Sequence, residues 1–159
     1  MPRILPLIVA ALLVVAPAGV SANALGFFGF GPRVGVSVDP NQIVLGGQGQ
    51  FGDLLPQTRL VFPVLEIGLG DNVTLLTLAA DLLWRPGKDY SGWTPYLGAD
   101  FAVNLESPKN GEDRTEFGLM GVLGGERVVG SDDRFGLELK FGIIESPSAK
   151  LLVHWTFSN

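Results

Sequence analysis

The sequence predicts an all-β fold, a single antiparallel up-and-down barrel of about eight strands. Three observations lead to this prediction. Apolar and polar residues alternate with a period of two, turn-forming stretches separate the alternating segments, and the apolar residues do not recur at helical spacing. A chain of 159 residues is long enough for one such domain, and no shift in composition divides it.

The alternation is clearest between Arg134 and Ile143, where the sequence reads RFGLELKFGI. Successive side chains of a strand point to opposite faces, so this segment has one apolar face and one face of charged residues and glycines. Stretches such as DPNQ and GSDD favour tight turns between neighbouring segments. The eight predicted strands are residues 33–38, 43–51, 59–70, 73–84, 93–105, 115–128, 134–143 and 149–157.

The alternation alone does not tell which face lies inside, because a soluble lipocalin-like barrel has the same period with the faces exchanged. Two properties favour an apolar exterior. The polar face contains many glycines, among them Gly136 and Gly142, and a crowded lumen needs small residues beside long ones. The apolar face is nearly free of charge, as at Val61, Leu65 and Ile67, which we expect to point outward. We therefore predict a transmembrane barrel.

A third property is a cluster of aromatic residues at one rim. In an up-and-down barrel, the ends of the even-numbered strands and the starts of the later odd-numbered strands meet at the same rim. Trp and Phe rings prefer the depth of the lipid headgroups, so aromatics at this rim on the apolar face predict contact with a membrane interface. These membrane-interface aromatics are Phe51, Trp84, Trp93, Phe135, Trp155 and Phe157.

Polar residues on the opposite face predict a network of charges in the lumen. Its members are Arg33, Glu66, Asp81, Asp100, Glu116, Glu126, Glu138, Lys140, Lys150 and His154. Charges in a medium of low dielectric constant need compensation, so we expect the carboxylates to pair with the lysines, with Arg33 and with Arg59. Eight strands enclose just enough space for their own side chains, which argues against a wide pore. The surplus of acids leaves open a narrow cation leak.

The first 24 residues have the layout of a secretory signal peptide. Arg3 supplies a positive charge, an apolar run extends from Ile4 to Val15, and the sequence Ala22-Asn23-Ala24 offers a small-x-small cleavage site. A membrane helix is the alternative, but the apolar run is shorter than the ~18 residues that span a bilayer. We therefore expect residues 1–24 to be a signal peptide and residues 25–159 to form the barrel domain.

With these features, the chain resembles the small eight-stranded outer-membrane β-barrel proteins of Gram-negative bacteria. The last predicted strand, AKLLVHWTF, closes on Phe157, and members of that family typically end on an aromatic residue. The resemblance implies an outer-membrane location, contact with outer-membrane lipids and recognition by the outer-membrane assembly machinery. The chain departs from the pattern by continuing through Ser158 and Asn159 and by having short loops at the rim opposite the aromatics, which argues against an adhesin or receptor. We expect a monomer.

Other function classes find little support in the sequence. A net charge of −5 argues against a nucleic-acid partner, and the lack of cysteine excludes thiolate chemistry and disulfides. The string GGQGQFG matches a dinucleotide-binding pattern, but Pro56 soon follows and no helix begins there. We expect no cofactor, no metal and no enzymatic activity. Two alternatives remain: a soluble periplasmic barrel that binds a hydrophobic ligand, and a lipid hydrolase that uses His154 with Thr156.

Overall fold

A computed structural model describes residues 26–52 and 55–159, so the predicted signal peptide lies outside the described residues. Its strands are β1 (Phe27–Val38), β2 (Gln42–Phe51), β3 (Thr58–Leu69), β4 (Val73–Trp84), β5 (Thr94–Pro108), β6 (Arg114–Val129), β7 (Asp133–Ile144) and β8 (Ala149–Ser158). Each strand pairs antiparallel with the next, and β1 pairs with β8 to close the barrel. The predicted fold class is confirmed. None of these residues belongs to a helix long and apolar enough to cross a membrane.

Strand β1 begins earlier than the sequence predicts. It starts at Phe27 and includes the stretch GFGP that precedes the predicted segment at residue 33. Glycine and proline are poor strand formers, so this stretch has little strand signal of its own. Pro32 pairs with Gly47 of β2, but neither Gly31 nor Pro32 has a partner in β8. The seam that closes the barrel is therefore interrupted at these two residues.

The apolar face of the strands is the exterior of the barrel. In β7, Glu138 and Lys140 are buried, whereas Leu137 and Phe141 are exposed. The same alternation recurs in the other strands, where the exposed large side chains include Ile43, Phe101 and Phe117 and the buried ones are mainly polar or charged. The barrel thus has a polar inside and an apolar outside.

The prediction for Val61 is wrong, because this side chain is only 2% exposed and points inward. The register of β3 against β4 shifts between Val61 and Val64, and the two intervening residues include Pro63. Proline cannot donate to a strand ladder and is common at bulges, where an extra residue changes which face the following side chains occupy. Val61 and Val64 both join a small buried apolar cluster with Ala79, Leu83, Tyr96, Ala102 and Val122.

Candidate functional site in the lumen and at the rim

Seven charged residues from β1, β3, β4, β5, β7 and β8 meet in the middle of the lumen and form the central cluster. Arg33 lies at the centre of this cluster. The Nε of Arg33 is 3.1 Å from Oε1 of Glu66, and the Nη2 of Arg33 is 2.5 Å from Oε1 of Glu138. The cluster consists of Arg33, Glu66, Asp81, Asp100, Glu138, Lys140 and Lys150. All seven are buried, so water has almost no access to their charges.

Lys140 separates two carboxylates that would otherwise repel each other. Asp81 of β4 and Asp100 of β5 are direct cross-strand partners, and both side chains are buried. The Nζ of Lys140 donates to Oδ1 of Asp81 at 2.8 Å and also to Asp100. Lys150 donates to Glu66 at 2.7 Å. Within the described residues, three cations of this cluster therefore meet four carboxylates.

His154 is connected to the central cluster through Tyr96. The tyrosine hydroxyl donates to Oε2 of Glu138 at 3.0 Å and lies 3.1 Å from Nε2 of the imidazole. On the other side of the ring, Nδ1 accepts from the amide of Gln48 at 3.1 Å. Because Nδ1 is an acceptor, the imidazole proton lies on Nε2 and is donated to the tyrosine oxygen. Tyr96 therefore stands between this histidine and the carboxylate of Glu138.

A second group, the rim cluster, lies at the rim where β1 begins and β8 ends, and it consists of Phe28, Gln50, Arg59, Glu126 and Arg134. A terminal nitrogen of Arg59 is 2.6 Å from both oxygens of Glu126, and one of Arg134 is 2.6 Å from Oε1 of the same carboxylate. The Phe28 ring lies 4.3 Å from the Arg134 guanidinium and 5.7 Å from that of Arg59. Sequence reasoning missed Phe28 and the role of Arg134. The register of β1 is irregular between Phe27 and Gly29, and alternation does not reveal such an irregularity.

The structure does not bring Glu116 into either cluster. This residue lies at the opposite rim, where it lines a cavity of about 320 Å³ together with Asp39, Glu106 and Glu145. It is half-buried, and none of the ion pairs within residues 26–52 and 55–159 includes it. In the same part of the chain, no group of three or more His, Asp and Glu side chains is arranged to hold a metal ion.

Glycines make room for the long side chains of the lumen. A side-chain carbon at Gly136 would overlap the imidazole of His154, its cross-strand partner. A side-chain carbon at Gly124 would likewise overlap the ring of Tyr96. Both positions need close approach of a large ring to the backbone, which a residue with a side chain does not permit.

The aromatic residues at the rim where β1 begins and β8 ends form a continuous arc on the outer face. Ring centroids are 6.2 Å apart for Trp93 and Phe135, 5.8 Å for Phe135 and Trp155, and 6.4 Å for Trp155 and Phe157. Phe30 extends the arc, with its ring 6.3 Å from Phe157. The other two residues of the predicted set lie at the same rim, with Phe51 against Phe27 at 5.5 Å and Trp84 exposed at the end of β4.

These features define a class of protein, a closed eight-stranded barrel with charged residues inside and apolar residues outside. Among solved structures, Neisserial surface protein A is similar, with a TM-score of 0.65 and 13% identity over 84% of this chain and 96% of that one. The Yersinia pestis outer membrane protein Ail, determined in a phospholipid bilayer nanodisc, has a TM-score of 0.53 and 7% identity over 83% and 99%.

No model of a protein family matches the chain, and no curated protein matches its sequence. At such low identities, the two similar structures show the fold alone. The fold that the family resemblance implied is confirmed, since both similar proteins and this chain form small barrels of the same kind.

Proposed function

We propose that this protein is an integral outer-membrane β-barrel protein with a filled polar lumen and a structural role in the cell envelope. One observation carries the proposal, the inverted polarity of the barrel wall. In β7, Lys140 is 0% exposed, whereas Leu137, three residues earlier in the same strand, is 44% exposed. In water, this arrangement would bury charged side chains and expose apolar side chains to solvent, and both are unfavourable. In a bilayer, the same arrangement is favourable on the outer face.

The dimensions of the wall support the proposal. The strands contain between 10 and 16 residues. A tilted strand of roughly 9–11 residues crosses the hydrocarbon core of a bilayer. Closure pairs β1 with β8 along the seam except at Gly31 and Pro32, which suits lipid because each unsatisfied backbone group costs several kcal/mol there. The aromatic arc is at the position where rings would meet the headgroups.

The two alternatives fit the observed site less well. A soluble barrel for a hydrophobic ligand needs an apolar interior, but the centre of this lumen holds the seven charged residues of the central cluster. A lipid hydrolase needs an accessible base and nucleophile. His154 is buried and both of its ring nitrogens are engaged, while the hydroxyl of Thr156 is 0% exposed and accepts from Gln48.

We further propose that the lumen does not conduct ions at an appreciable rate. The residues of the central cluster come from six of the eight strands and bond with one another across the lumen. A narrow cation leak remains the alternative, and single-channel recording in planar bilayers distinguishes the two. Steady unitary conductance would contradict a closed lumen.

Export and assembly complete the proposal. Residues 1–24 would be removed as a signal peptide, and the mature barrel would be inserted as a monomer by the outer-membrane assembly machinery. The last residues continue the closing seam: Ser158 pairs with Gly29, and the backbone N–H of Asn159 donates to the carbonyl of Phe28 at 3.0 Å. Phe157, the aromatic residue on which the last predicted strand closes, lies on the outer face at the rim.

The proposal is tested by replacing an outward residue with a charge. Leu139→Arg places a guanidinium on the lipid face of β7, which costs ~2–4 kcal/mol near the middle of a bilayer. We expect this variant to be lost from the outer-membrane fraction and to lack the difference in gel mobility between unheated and boiled samples. Asn110→Arg is the matched control, because Asn110 lies in an exposed turn between β5 and β6.

The wild-type protein and the control should both remain in the outer membrane and show the mobility shift. A wild-type protein that washes off membranes, or a Leu139→Arg variant that assembles as well as the control, would contradict the proposal. The second result would mean that the apolar face does not contact lipid.

A further inference from the structure

Arg127 is a charged side chain on the apolar outer face. It belongs to β6, is exposed, and is the cross-strand partner of Phe135. Its guanidinium carbon lies 6.0 Å from the centre of the Trp93 ring. The other outward residues of this strand that precede it include Phe117 and Leu123, both exposed hydrophobics. None of the ion pairs within residues 26–52 and 55–159 includes Arg127, so its charge has no anionic partner in that part of the chain.

A small apolar groove lies on the other side of β7 from this arginine. It has a volume of about 110 Å³, and Phe135 and Trp155 line it at the level of the aromatic arc, with Pro32, Val34 and Val153 from the closing seam. The groove coincides with the place where Gly31 and Pro32 of β1 find no partner in β8. Phe135 lines the groove and is also the cross-strand partner of Arg127, so this one residue adjoins both the cation and the groove.

We propose that Arg127 and this groove form a binding site for one phospholipid, in which the guanidinium binds the headgroup phosphate and an acyl chain packs in the groove. The inference rests on the proposed membrane location. A guanidinium stacked on an aromatic ring keeps its N–H donors free for bidentate bonds to a phosphate. The aromatic arc marks the headgroup depth, so the phosphate and the arginine meet at the same level of the membrane.

The guanidinium and the apolar groove together favour a phospholipid over inorganic phosphate or a neutral lipid. Inorganic phosphate would use the guanidinium but leave the apolar groove unfilled, and a neutral lipid would fill the groove but leave the cation unpaired. A phospholipid satisfies both, because it carries a phosphate and an acyl chain in one molecule. Loss of the charge at Arg127 should therefore weaken binding of a phospholipid and have little effect on a neutral lipid.

Native mass spectrometry of the folded barrel in an uncharged detergent tests the site. The probes are dioctanoyl phosphatidylglycerol, dioctanoylglycerol and inorganic phosphate, each titrated against the wild-type protein and three variants. Arg127→Gln removes the cation, Val153→Trp fills the groove, and Arg114→Gln is the control, because Arg114 is exposed at the opposite end of the same strand. We expect wild type and the control to bind one phosphatidylglycerol.

Binding should weaken about fivefold to tenfold in Arg127→Gln, as expected for the loss of a charge-assisted bond at an exposed site. It should weaken to a similar degree in Val153→Trp, and the other two probes should bind more weakly than phosphatidylglycerol. The proposed site would be contradicted if Arg127→Gln bound phosphatidylglycerol as tightly as Arg114→Gln does. It would also be contradicted if the wild-type protein bound dioctanoylglycerol as tightly as phosphatidylglycerol.

Gel mobility separates failure of the site from failure of the proposed function. If the wild-type protein shows the heat-dependent shift and yet binds no phospholipid in preference to the neutral lipid, the site alone is overturned. If the wild-type protein shows no such shift, the barrel does not behave as a membrane protein and both inferences are overturned. Each variant is first shown to retain the shift, so that weaker binding does not reflect misfolding.

Discussion

The central cluster and the rim cluster both stabilise charged side chains inside the barrel, but they do so in different ways. In the central cluster, Arg33 contacts three carboxylates and Lys140 contacts two at close range. In the rim cluster, Arg59 and Arg134 share the single carboxylate of Glu126, and the Arg134 side chain is 20% exposed. Where water is excluded, Arg33 and Lys140 are each balanced by more than one carboxylate, whereas at the rim water and an aromatic ring can stabilise a surplus cation.

The difference follows from the position of each cluster along the barrel. Desolvation of a buried charge costs several kcal/mol, and only well-placed partners offset it. In the central cluster, removal of Lys140 therefore leaves the buried carboxylate of Asp100 without a cation beside it among the described residues. In the rim cluster, which is closer to solvent, Arg134 can be lost while Arg59 and Glu126 remain paired. Two predictions test this contrast, and a third tests how tightly the lumen around the central cluster is packed.

The largest effect is expected for Lys140→Met, which removes a cation from the central cluster but keeps most of the side-chain volume. Asp81 and Asp100, which are cross-strand partners, then face each other without the ammonium between them. Breaking a buried ion pair in this way costs about 3–5 kcal/mol. The free energy of unfolding is measured by urea titration of the barrel in lipid vesicles, with tryptophan fluorescence as the signal.

A second substitution shows whether the loss comes from repulsion between the carboxylates. Adding Asp100→Asn to the Lys140→Met variant removes one of the two negative charges, so part of the lost stability should return. A double variant that is less stable than Lys140→Met alone would contradict the assignment of Lys140 as the group that separates the two aspartates.

An intermediate effect is expected for Gly136→Leu, which tests how tightly the lumen is packed. A side chain at this position would overlap the imidazole of His154, and overpacking of this kind costs about 1–3 kcal/mol. The matched control is Gly121→Leu in β6, where a side-chain carbon would lie 3.9 Å from the nearest heavy atom, in the Ile143 side chain. The same urea titration compares both variants with wild type, and equal stability of the two would mean that the lumen is loosely filled.

The sequence predicts the strands and their faces well, because alternation is a property of each strand alone. It predicts the ion pairs poorly, since pairing depends on how far each strand is displaced relative to distant strands. Arg33 of β1 meets Asp81 of β4 and Glu138 of β7, and no spacing in the sequence indicates these partners. Register irregularities caused the other errors: one turned Val61 inward, and another lies beside Phe28. Glu116 has the right phase for the lumen but lies too near the rim to be enclosed.

The smallest effect is expected for Arg134→Met at the rim, and its response to salt is the sharpest test of the contrast. Glu126 keeps its bond to Arg59, and the lost guanidinium is partly solvated, so the free energy of unfolding should fall by at most about 1 kcal/mol. At 1 M salt the Debye length is roughly 3 Å, and an exposed ion pair is then strongly screened. The difference between Arg134→Met and wild type should therefore shrink in 1 M NaCl, whereas the loss caused by Lys140→Met should persist because salt does not reach the central cluster. If salt reduced both losses equally, ions would have access to the middle of the lumen, and the two clusters would differ in their number of partners but not in their exposure to solvent.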